Sequence, residues 1–576
     1  MAWGDDETAW SRGGWALVRR GGDELADISL DGRPVLRSVR LVVRDRDWNT
    51  VPLRVDAVHA EDEGLRLEVS ATEGGCLGGA ITVRADGDRL EVVADLVCTT
   101  AFETNRTGLV VLHPPQLSGR TLAVGHPDGT EELTRFPADI SPHQPATDIV
   151  SLGWTSDAGP MRLRLSGDAF EMEDQRNWTD ASFKTYSRPL ALPFPYPLSP
   201  GDRVVQSLIL ERTASAPPAS APRVDVLSLH ARGRLPSIGV AASTAPDALR
   251  PDALEPPPGD TVLVELDLAS PAWRAALDRA RRAGLPLDVR FVVDEDAPTA
   301  LARGVRALVG VPVRRVTAFR ARGPARHVSD ADTVAALRAA LDLADLELAA
   351  AGGVRTHFTE LNREHHRLPA GLEGIGFALT PLFHDLSTAQ LVESVPMQRL
   401  VAEQAVRLAD GIPVDIGPIG LRPHVNAVAT TAEPRPRRGD LRDGYGPALL
   451  AAGDPRQDAV GLAAWTVASA AALSIPGVRS LSYFEEWGPR GILRSDGGAR
   501  PVSDAVRALA EISGEPALVG ESPDGRVWAL GAATRGGTVL LIANLDRTSR
   551  VVEVRAPRGT ITARLEPYAW TRVDRD

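Results

Sequence analysis

The chain of 576 residues contains only two cysteines, Cys76 and Cys98. Two thiols provide neither a disulfide framework nor a cysteine zinc site. No stretch approaches the roughly 18 uncharged apolar residues that a membrane-spanning helix needs. The first ten residues, MAWGDDETAW, are acidic and have no apolar core, so they do not form a secretory signal. These absences predict a soluble, cytoplasmic protein with no membrane partner.

Concentrated positive charge is also missing. The formal net charge is −12, and the basic residues are spread along the chain. Because a phosphate backbone requires clustered Lys and Arg, no nucleic-acid partner is expected. No glycine-rich phosphate loop follows a predicted strand, which argues against a nucleotide cofactor, and no GxSxG motif supports a serine hydrolase of the α/β type.

The sequence also lacks acidic residues and histidines at the spacing of a known metal site. The acidic run of Asp294, Glu295 and Asp296 has no histidines at matching spacing. The adjacent His365 and His366 lie in one short segment and lack a recognised ligand pattern. The sequence therefore predicts no metal and no cofactor.

The sequence does contain a clear change of periodicity along the chain. Residues 1–215 alternate apolar and polar residues in short runs, which predicts an N-terminal β-sandwich domain. A linker of small residues and prolines, TASAPPASAP at 213–222, follows. Residues 223–500 alternate strand-like and helix-like segments, which predicts a parallel α/β domain. After a short helix at 501–512, residues 501–576 as a whole are expected to form a small C-terminal β-sandwich domain.

The middle region is predicted to be a (β/α)8 barrel. Amphipathic segments of helical length separate several of its eight candidate strands, which are 237–242, 262–268, 287–293, 315–319, 354–358, 375–379, 413–417 and 478–484. Eight strands in about 250 residues is the usual size of a TIM barrel. The connection at 364–373 is short for a crossover helix. The predicted fold is thus multidomain α/β plus β, with a central TIM barrel flanked by two β-sandwiches.

Acidic side chains recur at the predicted carboxyl ends of the strands, where a barrel carries its active site. Glu360 follows HFT after the fifth strand, and Glu485 follows SYF in the eighth. A carboxylate held against aromatic walls loses hydration, so its pKa rises and it suits proton transfer near neutral pH. We therefore predict that Glu360 and Glu485 are catalytic. The alternatives are rim salt bridges to Arg363 or Arg490, and a register shift that places Glu486 in the pocket instead.

Other strand ends supply candidates for substrate binding. Arg422 is suited to holding a carboxylate or a developing oxyanion, with a structural ion pair to a nearby aspartate as the alternative. His384, beside Asp385, is a candidate base or hydrogen-bond donor. Asn362 and Asn426 complete this group.

One segment of the N-terminal domain is unusually rich in polar residue types. It reads FEMEDQRNWTDASFKTY at 170–186 and includes Asp174, Arg176, Asn177 and Trp178. One interpretation is a loop that reaches over the barrel mouth and contacts substrate. The other is a polar network that joins two domains. The sequence leaves both open.

Five motifs occur in order along the chain: EMEDQRNWTDASFKTY, FTELNR, LRP before Asn426, DPRQ with AAWT, and YFE before an Arg-Gly pair. This order resembles the D-apionate lactonase family over nearly the whole chain. The resemblance implies an N-terminal β domain, a glycosidase-like barrel, a C-terminal β domain, and hydrolysis of D-apionolactone to D-apionate in apiose catabolism. By position, it implies roles for Asp174, Arg176, Asn177, Trp178, Glu360, Asn362, Arg422, Asn426 and Glu485.

Three functional hypotheses use these residues, each with a small carbohydrate-derived partner. For lactone hydrolysis, Glu360 takes a proton from water, Arg422 or Asn362 stabilises the oxyanion, and Glu485 protonates the leaving alkoxide. For glycoside hydrolysis, the two glutamates act as acid/base and nucleophile. The third hypothesis is a carbohydrate-binding protein with an inactive barrel. The sequence is compatible with a homo-oligomer and does not fix the oligomeric state.

Overall fold

The computed structural model describes residues 3–61, 64–71, 76–214, 226–249, 254–294, 296–450 and 453–575, which are called the described residues below. Residues 215–222 of the predicted linker and Glu295 of the acidic run lie outside these ranges.

Within its described residues, the N-terminal domain forms two antiparallel sheets of nine strands each. Its strands, β1 to β18 in chain order, are Glu7–Arg12, Trp15–Arg20, Glu24–Leu30, Arg33–Asp45, Leu53–Glu61, Gly64–Ala71, Leu77–Asp86, Arg89–Cys98, Phe102–His113, Thr121–Gly125, Glu131–Arg135, Ala146–Ile149, Ser151–Ser156, Gly159–Ser166, Phe170–Asp174, Phe183–Ser187, Tyr196–Leu198 and Arg203–Arg212. Side chains of both sheets, such as Leu41 and Val83, share one buried core. This confirms the predicted β-sandwich.

A nearly closed parallel barrel forms the centre of the molecule. Two short strands, β19 (Val226–Ser228) and β20 (His230–Arg234), precede it. Its strands, β21 to β30, are Ser237–Ala241, Thr261–Asp267, Leu287–Val293, Val313–Arg320, Ala349–Ala350, Gly352–Gly353, Ile375–Leu379, Val414–Ile419, Val478–Trp487 and Gly491–Leu493. The order around the barrel is β25-β24-β23-β22-β21-β29-β28-β27-β26, with β30 beside β29. The predicted TIM barrel is confirmed.

The position of the fifth strand was predicted wrongly. It was expected at 354–358, but the short pieces β25 and β26, within 349–353, fill this position by pairing with β24 and β27. Gly353 has a φ of +118°, and a Cβ there would lie 2.1 Å from the carbonyl oxygen of Gly376. Because only glycine permits this approach, the strand lacks apolar alternation, and residues 354–358 lead into the next helix instead.

The described residues contain seven α-helices. They are α1 (Trp273–Arg281), α2 (Ala297–Arg306), α3 (Ala331–Leu343), α4 (Phe358–Glu364), α5 (Thr388–Ala409), α6 (Val460–Leu473) and α7 (Pro501–Glu511). Short 3-10 helices span Pro115–Leu117, Gln175–Trp178, Asp247–Leu249, His365–Arg367, Gly446–Leu450 and Pro455–Asp458. None of the helices in the described ranges has the length and apolarity needed to cross a bilayer.

The C-terminal sheets include strands from before the barrel. Strands β31 to β36 are Pro516–Val519, Val527–Thr534, Gly537–Asn544, Arg550–Ala556, Gly559–Leu565 and Trp570–Arg575. β20 pairs with β31, and β19 pairs with β34. Helix α7 packs on α6 and β21 of the barrel. Strand pairing therefore crosses the expected boundary at 501, because a local pattern does not reveal a distant pairing partner.

A buried ionic network lies at the base of the barrel, near the amino ends of the strands. Asp415 Oδ1 accepts hydrogen bonds from Arg315 Nη1 at 2.8 Å and from the Ser480 hydroxyl at 2.6 Å. Arg315 also donates to Asp288 Oδ2 from Nη2 at 2.6 Å, and Arg479 Nε donates to Asp415 at 3.0 Å. Since a TIM barrel carries its active site at the opposite end, this network is structural.

We expect Asp415→Ala to lower the free energy of unfolding of the barrel by about 3–5 kcal/mol, because the buried Arg315 and the half-buried Arg479 lose their shared carboxylate. Asp95→Ala, which removes an exposed partner of Arg203, serves as the control and should cost at most about 1 kcal/mol. Calorimetric or circular-dichroism unfolding measures both. Equal losses in the two variants would contradict the structural role of the network.

Candidate active site at the barrel mouth

A cavity opens at the carboxyl ends of β21, β22, β27, β28 and β29. This is the end of a TIM barrel where catalysis takes place. Its free volume is about 70 Å³. The polar and ionisable residues of its wall are Thr244, Glu265, Thr380, Arg422, His424, Tyr445, Asp454, Gln457, Glu485 and Arg490.

A bulge in β29 turns Glu485 toward this cavity. Ser480 faces the barrel interior, whereas the hydroxyl of Tyr483 contacts helix α6. Regular alternation would place Glu485 on the same side as Tyr483, facing the helices. However, Phe484 has a φ of 52°, and the pairing with β21 gains one extra residue at this point. A left-handed backbone is rare for a bulky residue, and here it redirects the next side chain into the cavity.

The carboxylate of Glu485 is buried and held from two sides. Thr244 donates its backbone N–H to Oε2 at 3.0 Å and its hydroxyl to Oε1 at 2.7 Å. Arg490 Nε lies 3.6 Å from Oε1. Burial raises the pKa of Glu485, and Arg490 and Thr244 offset only part of that rise. A carboxyl group with a raised pKa can accept and return a proton near neutral pH.

Arg422 presents an unengaged guanidinium to the same cavity. Among the described residues, this guanidinium has no ion-pair or hydrogen-bond partner. Its backbone carbonyl accepts a hydrogen bond from Arg490 Nη2 at 2.8 Å, which holds the loop in place. Burial lowers the pKa of Arg422, with Asp454 opposing, but arginine remains protonated in proteins. Its forked donors fit a carboxylate or an oxyanion.

Glu265 provides a second carboxylate of different character. Arg355 donates to its Oε1 from Nε at 2.9 Å and from Nη2 at 2.7 Å, and His424 Nε2 lies 3.7 Å from Oε2. Burial favours a higher pKa for Glu265, but Arg355 and His424 outweigh burial and hold this pKa well below its ordinary range. Glu265 therefore stays ionised and acts as a fixed acceptor.

Glu360 is not among the residues that line this cavity. It is the third residue of α4 and not a strand tip, because the fifth strand ends at Gly353. Its Oε2 accepts a hydrogen bond from the Thr356 hydroxyl at 2.7 Å, and burial raises its pKa. The structure thus does not bring Glu360 into the cavity that Glu485 lines.

Asn362 and Asn177 join the N-terminal domain to the barrel. Asn362 Nδ2 donates to Asn177 Oδ1 and to the Ile140 carbonyl, both at 3.0 Å. Gln404 of α5 donates to the Ile140 carbonyl at 2.9 Å and accepts from the Ile140 N–H at 2.7 Å. Each of these buried polar groups has a hydrogen-bond partner within the protein. The geometry therefore favours the interpretation of residues 170–186 as a polar network that joins the two domains.

Asp174, Arg176 and Trp178 also serve packing. Arg176 donates to Asp174 from Nε at 2.8 Å and from Nη2 at 2.7 Å, and it also bonds backbone carbonyls such as that of Pro137 at 2.9 Å. The ring of Trp178 meets the edge of His384 at 5.1 Å between centroids. The Asp174–Arg176 pair thus lies within the N-terminal domain, Trp178 contacts the barrel, and none of the three lines the barrel-mouth cavity.

The remaining candidates line other cavities. His384 and Asp385 border a cavity between the N-terminal domain and the loop after β27. Asn426 lies on a third cavity, where its Nδ2 donates to the Asp47 carbonyl at 3.3 Å. Of the predicted site residues, only Glu485 and Arg422 come together at the barrel mouth.

Sequence reasoning missed several residues of this wall. Glu265 carried a usable signal, because it is a lone charge inside the apolar run TVLVEL of β22. Thr244 and Tyr445 come from loops whose approach to the cavity depends on the folded barrel, so no local pattern reveals them. No group of three or more His, Cys, Asp or Glu side chains within the described ranges is arranged to hold a metal ion.

A parallel barrel with a buried acid, an unengaged guanidinium and an ionised acceptor at its carboxyl ends has the makeup of a TIM-barrel hydrolase.

Comparison with known proteins identifies the family within this class. Residues 4–215 match the N-terminal domain of D-apionate lactonase, and residues 237–514 match its TIM-barrel domain. The D-apionate lactonase of Brucella anthropi is 30% identical over 606 aligned positions, covering 96% of this chain and 94% of that protein. The chain belongs to the D-apionate lactonase family.

Solved structures show more distant likenesses. A beta-arabinopyranosidase matches 99% of this chain and 96% of its own length, at 10% identity and a TM-score of 0.30. A GH51 arabinofuranosidase from Xanthomonas axonopodis matches 61% of this chain and 95% of its own length, at 10% identity and a TM-score of 0.42.

We expect Asn362→Ala to lower the free energy of unfolding by about 1–3 kcal/mol, because partners at the domain interface lose buried hydrogen bonds. The exposed Asn49→Ala is the control and should change stability by no more than about 0.5 kcal/mol. Denaturation and steady-state kinetics are measured together. A raised KM with unchanged stability would instead assign Asn362 to substrate binding.

Proposed function

We propose that this protein hydrolyses a sugar-derived lactone, D-apionolactone, to D-apionate at the barrel-mouth cavity. The observation that carries the proposal is that Glu485, with its raised pKa, and the unengaged guanidinium of Arg422 line one cavity. The family and the relative from Brucella anthropi support the choice of substrate.

In this reaction, the ionised carboxylate of Glu485 accepts a proton from a water molecule as its oxygen attacks the lactone carbonyl carbon. The N–H groups of Arg422 stabilise the negative charge that develops on the carbonyl oxygen. The ring C–O bond then breaks, and the proton held by Glu485 passes to the leaving alkoxide. The ring opens to a hydroxy acid, and Glu485 returns to its ionised form. Glu485 thereby takes both roles that the sequence divided between Glu360 and Glu485.

Neighbouring groups orient the substrate. Glu265 stays ionised and accepts hydrogen bonds from substrate hydroxyls, while burial raises the pKa of Tyr445 and keeps its hydroxyl a donor. The free volume of about 70 Å³ holds only a few water molecules. Tyr445, Gly446 and Pro447 form one side of this cavity.

We expect Glu485→Gln to lower kcat/KM for D-apionolactone by about 10²–10⁴-fold, because the amide cannot accept the proton of water. Glu360→Gln is the matched comparison, since its carboxyl group also has a raised pKa but lies outside the cavity lining, and it should stay within about threefold of the parent. Acid release in a pH-stat measures both. Loss of turnover in Glu360→Gln alone would reverse the assignment.

The pH profile gives an independent test. The carboxylate must be ionised to act as a base, so activity falls as pH drops through the raised pKa of Glu485. Thr244→Val removes a donor that stabilises the ionised form, so the acidic limb of kcat/KM should move about one pH unit upward. Thr356→Val removes the equivalent donor from Glu360 and should leave the limb in place. A shift in Thr356→Val but not in Thr244→Val would identify Glu360 as the base.

Glycoside hydrolysis is the second candidate, because two glutamates, Glu265 and Glu485, line the cavity. The ion pair with Arg355 leaves Glu265 less suited to proton exchange, which favours the lactonase. A panel of aldonolactones and aryl glycosides, assayed by acid release and by phenol release, should show turnover of lactones only. Release of the phenol, with covalent labelling of a glutamate by a fluorinated glycoside, would support the glycosidase.

A further inference from the structure

A second cavity lies between the N-terminal domain and the barrel. It has a free volume of about 460 Å³, which is within the range of small-molecule sites. Arg44 of β4, Arg106 of β9 and Lys184 of β16 form one part of its wall, and His384 of the loop after β27 forms another. None of these residues takes part in the proposed lactone chemistry.

Arg106 is the residue that indicates a ligand. It is 5% exposed, and its Nε has no hydrogen-bond partner among the described residues. The guanidinium lies over the ring of Tyr186 at 3.6 Å and near the ring of Trp48 at 5.2 Å. Stacking fixes the plane of the guanidinium but supplies no counter-ion. Because a buried charge is costly without a paired opposite charge, this position is electrostatically incomplete.

The residues beside Arg106 add positive charge. Arg44 donates to the Trp48 carbonyl at 3.4 Å and to the Thr50 hydroxyl, which are both neutral acceptors. Burial and the nearby Arg106 lower the pKa of Arg44 to about 10. Lys184 is paired with Glu173, yet burial still lowers the pKa of Lys184 to about 8. These shifts reflect crowded cations in a poorly hydrated space.

Two of the carboxylates that line the cavity, Asp385 and Asp180, are already engaged. Asp385 lies 3.5 Å from Arg37 and 3.4 Å from Arg40 and offsets part of their charge. Burial raises the pKa of Asp180 well above its usual range, and Asp180 is hydrogen-bonded to His384 Nδ1 at 2.9 Å. Glu173, the carboxylate that acts on Arg106, is bonded to Lys184, so the positive charge around Arg44 and Arg106 is only partly offset.

We propose that this second cavity binds a small anion, a carboxylate or phosphate group, whose paired oxygens are held by Arg106 and Arg44. A guanidinium fork matches either group with two parallel hydrogen bonds. Gln175, Lys184 and His384 line the same space and provide partners for the hydroxyls of a polyhydroxylated acid. The site is independent of lactone hydrolysis, since it shares no residue with the barrel-mouth cavity.

Calorimetric titration of the full chain tests this site. The parent protein for all titrations carries the substitution Arg422→Gln, so that the unengaged guanidinium of the barrel mouth does not contribute to anion binding. Sodium gluconate and inorganic phosphate are titrated separately, with uncharged sorbitol as the ligand control. We expect one anion site and no sorbitol binding. Tighter gluconate binding identifies a sugar acid as the ligand class, and tighter phosphate binding identifies a phosphate.

The variant Arg106→Gln should weaken anion binding by about tenfold or more, because it removes a charged donor pair. Arg20→Gln is the matched control, because Arg20 lines the same cavity but is already bonded to Glu7 at 2.9 Å and Asp27 at 2.7 Å. It should bind the anion within about twofold of the parent. If Arg106→Gln does not fold, Arg44→Gln carries the same expectation. Absence of binding by both anions, or equal affinity in a folded Arg106 or Arg44 variant, overturns the proposal.

Discussion

The left-handed backbone at Phe484 is the constraint on which the barrel mouth depends. It inserts one residue into the eighth strand and brings Glu485 to the side of the cavity. Immediately afterwards the chain reverses tightly, and a Cβ at Gly491 would lie 2.3 Å from the Trp487 carbonyl carbon. The reversal returns Arg490, whose carbonyl accepts the Glu485 N–H at 3.1 Å. One backbone irregularity thus sets both the position of the acid and the position of its cationic neighbour.

The N-terminal domain contributes in a different way. The segment that includes Asn177 has many polar types, but most of them are satisfied by protein partners at the interface with the barrel. Asn362 and Gln404 extend this network from the barrel side. Such fully satisfied networks fix one relative arrangement of two surfaces, because any other arrangement leaves buried groups without partners. The interface therefore holds the domains in register, and it also encloses the second cavity.

The sequence predicted the regular parts of this fold well. The strands at 287–293 and 375–379 have the expected bounds, since apolar runs mark them locally. The fifth strand was predicted at the wrong place because its two short pieces consist of small residues. The backbone at Gly353 lies so close to that of Gly376 that only glycine fits there. Strands β19 and β20 pair with β34 and β31, which lie far away at the other end of the chain, a relation that no local pattern contains.

The candidate site was predictable only in part. Glu485 was selected as an acid after an aromatic strand, yet it reaches the cavity because the alternation breaks at Phe484. The same reasoning selected Glu360, whose strand ends earlier, at Gly353. Glu265 was overlooked because its strand was treated as plain core, although its ion pair with Arg355 is what permits a charge there. Catalytic residues predicted from strand ends are therefore only as accurate as the predicted bounds of the strands.

Most buried arginines in this protein pair with carboxylates, although Arg290 in the barrel interior donates to the Gly417 carbonyl at 2.6 Å instead. Arg37, Arg176, Arg315 and Arg355 all pair with carboxylates, as expected when the cost of removing a guanidinium from water must be offset. Arg106 and Arg422 lack such partners among the described residues, and each lines a cavity. In the proposed reaction, the missing charge at the barrel mouth develops as the carbonyl oxygen becomes an oxyanion. In the second cavity no reacting group is at hand, and the proposed anion supplies the missing charge.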